Sequence, residues 1–136
     1  MGLIVACTAQ DVPTPTRSAQ FQDYPKRLFD TFEVSCSGPG EQFERVGNQV
    51  FECTELLPPD TTAYLILNYE GYPQDLPQSV MRLTSTKNTA GYRIDAEVFF
   101  NVPQRTGPPV QVPVESKTLD KALSALYQAM GGSPTL

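Results

Sequence analysis

The chain has 136 residues, 40% of them hydrophobic, with a formal net charge of −5 and no histidine. This is one domain's length, and its basic residues are scattered, which argues against nucleic acid and anionic membrane surfaces because both need concentrated positive charge. The commonest general base and zinc ligand is missing, and no run approaches the ~20 apolar residues of a membrane span.

The chain begins with Leu3, Ile4, Val5, Ala6 and Cys7, a short apolar run that stops at a cysteine. This stretch resembles the lipobox of bacterial lipoproteins. The resemblance implies cleavage before Cys7 and lipidation of Cys7. Several acyl chains, each contributing about 0.8 kcal/mol per buried CH₂, then make anchoring effectively permanent. Thr8 follows the cysteine where Asp marks inner-membrane retention, which implies the periplasmic face of the outer membrane. A soluble secreted or periplasmic protein is the alternative. An export signal needs a basic region and ~7–15 apolar residues, so it is expected to begin upstream of Met1. N-myristoylation is disfavoured because Ala6 stands where that motif wants Ser or Thr. Residues 8–20 are rich in Thr, Pro and Gln and lack apolar periodicity, as expected of an extended tether. The domain organisation read here is a signal remnant plus tether over 1–20 and one globular domain over 21–132.

Phe21, Tyr24, Leu28 and Phe32 recur at helical spacing. With Asp23 as cap and Pro25 in the first turn, they predict a helix from Tyr24 to Val34. The stretch 42–53 reads as two short strands around a two-residue turn at Gly47–Asn48. Residues 60–70 suit either a strand or a short helix. The start signal at Pro59–Asp60 and the stop at Glu70–Gly71 favour the helix. Tyr92, Ile94, Ala96, Val98 and Phe100 alternate with Arg93, Asp95, Glu97, Phe99 and Asn101, predicting a strand with one wet face. Val80–Thr86 pairs with it through a turn at Asn88–Gly91. An edge strand near Val110–Val114 tolerates its prolines. Leu119, Ala122, Leu123, Leu126, Tyr127 and Met130 form one helical face, capped by Thr118 and stopped by Gly131–Gly132. The expected fold class is α+β, an antiparallel sheet of four to five strands with helices packed on one face.

Of the three cysteines, Cys36 and Cys53 flank the predicted hairpin and are expected to form a disulfide. Such a bridge suits an exported small domain, whereas two reduced, buried thiols would suit a cytosolic one. Cys7 is left for the lipid.

Catalytic chemistry finds little support. Thr84 and Lys87 lie at a strand end and point to opposite faces, while Thr118 and Lys121 belong to a helix start. Asp95 and Glu97 share a strand face at roughly 6–7 Å, a spacing that suits glycoside hydrolysis or a divalent cation. Arg93 on the same face makes a solvated charge ladder the simpler reading. Gly38-Pro39-Gly40 lacks the following Gly-Lys of a phosphate loop. No metal site, cofactor or catalytic residue is expected. The partner-contact candidates are Phe99, an aromatic on the wet face, and Tyr69 and Tyr72. For Phe99, burial under another segment is the equal alternative. The expected function is a non-catalytic, periplasm-facing lipoprotein with a protein-binding or envelope-assembly role. An enzyme inhibitor is the alternative, and a carboxylate-based enzyme is third.

Overall fold

A computed structural model describes residues 17–135. Seven strands form one sheet: β1 (Ser18–Phe21), β2 (Glu41–Arg45), β3 (Val50–Leu56), β4 (Gln78–Asn88), β5 (Gly91–Val102), β6 (Val110–Pro113) and β7 (Ser133–Thr135). The helices are α1 (Lys26–Ser35), α2 (Pro59–Asn68) and α3 (Lys117–Ala129). Strand order is β2-β3-β4-β5-β1-β7, with β6 also paired to β5, and every pairing is antiparallel. The α+β class is as expected, with seven strands in place of four or five.

The β4–β5 hairpin is the backbone of the sheet. Its register runs unbroken from Gln78↔Asn101 to Asn88↔Gly91, so side-chain parity holds along its whole length. Ile94 and Ala96 from β5 face the core with Leu83 from β4. The outer edge of β5 is shared: β1 pairs with residues 92–95 and β6 with residues 99–102. Two backbone bonds extend these pairings toward each other, Ala96 N–H to the Arg17 carbonyl and Val114 N–H to the Val98 carbonyl.

The structure revises several expectations. Residues 18–20 are not tether: they are strand, with Ser18 and Ala19 buried. A polar strand of four residues has no legible period. It is held by pairing on both sides and by the Ser18 hydroxyl donating to Asp95. Phe21 therefore ends β1 instead of starting the helical face. The helix begins at Lys26, after Pro25, and Asp23 makes no cap. The β2–β3 loop spans 47–49, because Val46 N–H already bonds the Val50 carbonyl. Ser116, not Thr118, caps α3 through a bond from Leu119 N–H at 3.2 Å. The domain also runs past residue 132, since β7 adds an edge strand to β1. Residues 59–68 are helical, as the start and stop signals favoured.

The main core lies between one sheet face and helices α1 and α3. Leu28, Phe29 and Phe32 from α1, and Leu123 and Tyr127 from α3, meet Ala19, Phe51, Leu83, Ile94 and Ala96. Each large side chain removed from water contributes about 1.5–3 kcal/mol, so this layer carries the fold. Leu65, Val80, Phe99 and Val102 are buried outside that cluster. There the segment after α2 is tied to the end of β5 by Tyr72 N–H to the Pro103 carbonyl and by the Gln104 amide to the Tyr69 carbonyl.

Candidate functional site

Helices α1 and α3 do not close over the sheet. Between them lies a cavity of about 340 Å³. Leu28 and Phe32 form one wall, Leu119, Leu123 and Leu126 the other, and Met81, Leu83 and Val98 the floor. The gap has a sequence cause: Thr31 and Ser35 on α1 and Ala122 on α3 also line it, and these side chains are too small to meet across the space. The floor residues Met81 and Val98 are accordingly only half-buried, although their parity points them into the layer beneath the helices.

The cleft changes character along the strands. Its floor follows three cross-strand rows: Leu83, then Cys53–Met81–Val98, then Glu55–Ser79. Rows two residues apart are separated by about 6.7 Å, so the three span about 13 Å. The first rows are apolar. The last brings Ser79 and Glu55 together with Glu41, which stands directly opposite Glu55 in the β2–β3 register.

Cys36 and Cys53 are bridged at this polar end, with Cα atoms 5.9 Å apart. The bond ties the end of α1 to β3. Glu41 Oε1 accepts Gly38 N–H at 2.9 Å, while Oε2 lies 3.8 Å from Cys53 Sγ. A bridged sulfur has no hydrogen to donate, so that oxygen is left without a donor from the disulfide. Neither Glu41 nor Glu55 joins an ion pair among the described residues. The sulfurs of Cys36 and Cys53 and the Glu41 carboxylate lie within 4.8 Å of one another. Sulfurs bonded to each other offer no thiolate, so this group is not a metal-ligating set in the bridged protein. At the other end of the layer, the Tyr127 hydroxyl donates to the Arg17 carbonyl at 2.9 Å. Burial, then the nearby Asp95 charge, pushes its pKa well above the ordinary value of 10.0.

The residues singled out in the sequence fall elsewhere. Cys7 and the lipobox-like run lie outside the described residues. Phe99 is not a surface contact point: it is 5% exposed, with the Arg82 guanidinium 5.1 Å over its ring and β6 paired alongside at Pro113. Its parity places it on the wet face, but that end of the face is covered. Tyr69 and Tyr72 are together and half-buried. Their loop is held to β5 as described above, the Tyr72 hydroxyl donates to Gln74 at 2.7 Å, and Arg105 lies over the ring. Asp95 accepts from Ser18 and from Arg93, while Glu97 lies 3.8 Å from Arg82, which also holds Glu52. Both carboxylates thus face arginines. The sequence reading missed the cleft because its apolar residues look like ordinary core. Glu41 and Glu55 flank the predicted hairpin, and the two-residue turn expected there would have set Glu41 opposite Thr54, so their pairing was not legible either.

Fold and site together define a small α+β domain with an apolar, acid-ended cleft under two helices. Comparison with family models, curated proteins and solved structures finds no match to this chain.

Proposed function

We propose that the protein is a non-catalytic binding domain whose cleft between α1 and α3 takes a slender apolar group from its partner. The cleft carries this reading. An apolar cavity with a few polar groups at one end, at the small end of the usual ~300–1,000 Å³, is the common form of a binding site. The arginine partners of Asp95 and Glu97 support the non-catalytic part, since a general acid–base pair needs carboxylates free to exchange protons with a substrate.

We place the domain at the periplasmic face of a bacterial outer membrane, anchored through Cys7, in a protein-binding or envelope-assembly role. The Cys36–Cys53 bridge supports an oxidising compartment, and it leaves Cys7 as the unpaired cysteine. The inhibitor alternative would be favoured by the loop 68–73 standing out as a rigid wedge. With the loop bonded back to β5, that reading loses its main support.

Titration with the uncharged dye N-phenyl-1-naphthylamine tests the cleft. Saturable one-to-one binding to the wild type is expected, with loss on Ala122→Phe, which fills the space from an exposed helix position, and retention on Leu67→Ser, which alters the exposed face of α2. Binding that survives Ala122→Phe defeats the reading. For the anchor, metabolic labelling with a palmitate analogue should mark the wild type and not Cys7→Ala.

A further inference from the structure

The two unpaired carboxylates at the polar end of the cleft identify the ligand further. Like charges directly opposite on neighbouring strands destabilise a sheet, and Glu41 and Glu55 hold that relation with no cation beside them among the described residues. Elsewhere on the sheet, strand carboxylates meet arginines. Arg82 serves Glu52 and Glu97, and Arg93 serves Asp95. At the cleft the neutralising charge is missing, while the adjoining wall and floor are apolar and underfilled. We infer that the cleft binds a single-chain cationic amphiphile, its unbranched apolar chain lying over Met81 and Val98 and its ammonium or guanidinium head between Glu41 and Glu55. This rests on the binding reading proposed above.

The dimensions favour a single chain over a peptide. A helix is about 10–12 Å across with its side chains and cannot enter a cavity of about 340 Å³. A peptide strand has no edge to join over the apolar floor, because β4 and β5 are each paired on both sides, and the free edge of the sheet on that side, β2, meets the cleft only at Glu41. An unbranched chain with one charged end matches both the length of the three rows and their change from apolar to acidic.

Three ligands with the same decyl chain isolate the head group: decyltrimethylammonium, decyl sulfate and decyl maltoside, each below its micelle concentration. Methionine methyl NMR is the readout, because Met81 lines the cleft and Met130 does not. The cation should shift Met81 and bind at least about tenfold more tightly than the other two, as expected of close charges at a partly buried site. Glu55→Gln, at an exposed position, and Glu41→Gln, which keeps an acceptor for Gly38 N–H, should each narrow that preference. Together they should abolish it. Equal binding of all three ligands at Met81 overturns the cationic assignment and leaves the cleft reading standing. No Met81 response to any of them overturns both. Tighter binding at Met81 by a basic amphipathic peptide than by the decyl cation overturns the single-chain assignment in favour of a protein segment.

Discussion

Arg17 and Asp120, 103 residues apart in the chain, form an ion pair at 2.5 Å with both side chains largely buried. The same guanidinium donates to the Val114 carbonyl, and the Arg17 carbonyl accepts from Ala96 N–H and the Tyr127 hydroxyl. One residue thus links the start of β1, the end of β6, the middle of β5 and helix α3.

Arg17→Met removes the cation and leaves Asp120 charged and poorly solvated. Losing one partner of a buried pair costs about 3 kcal/mol or more. Urea denaturation should show that loss, and Arg17→Met/Asp120→Asn together should recover part of it. A single-variant change below about 0.5 kcal/mol, the range of an exposed pair, would show that the link carries no stability.

Tyr127 makes stability sensitive to alkali. Its pKa is raised above the ordinary value of 10.0, chiefly by burial. The folded state therefore retains a proton that the unfolded chain releases. The stabilisation is fully present below pH 10 and falls as pH rises beyond it, by up to about 1.4 kcal/mol per pH unit. Denaturation at pH 8, 10 and 11 should show a shallower decline for Tyr127→Phe. That variant also loses one hydrogen bond, about 1 kcal/mol at neutral pH.

The disulfide closes a separation of 17 residues, for which chain entropy gives about 3 kcal/mol. Cys36→Ser/Cys53→Ser should lower the denaturation midpoint accordingly yet remain folded, because the aromatic core does not depend on it. An equal midpoint with and without dithiothreitol in the wild type would argue against the bridge.

Gly91 closes the β4–β5 turn with φ of 128°, and a Cβ there would strike the Phe21 and Gln22 carbonyls. Gly91→Ala combines a forbidden backbone conformation with a clash, at about 3 kcal/mol. Gly107 has φ of 84° with open space around it, so Gly107→Ala should cost only the left-handed term of about 1–2 kcal/mol. Similar losses at both sites would mean the clash with β1 relaxes away.

How far the chain can be read depends on element length. The apolar face of α3 and the alternation along β5 repeat often enough to stand out, and both elements form where their periods place them. The Pro59–Asp60 and Glu70–Gly71 signals favoured helix over strand for α2, and the helix forms between them. β1 and β7, with four and three residues, hold no complete pattern. They are strands because neighbours distant in the chain supply their hydrogen bonds. Phe99 shows the limit of parity: alternation assigned it correctly to the polar face, but it is buried there with Arg82 over its ring.

Local order along the chain was enough for the α+β class, the long hairpin, the last helix and the nearness of Cys36 to Cys53, because each arises from residues close together. The cleft arises otherwise. It exists because small side chains on α1 and α3 face each other across the sheet, and because β2 sets Glu41 opposite Glu55. Those relations depend on how helices are placed on a shared surface, a matter of three-dimensional packing that no repeat in the chain encodes.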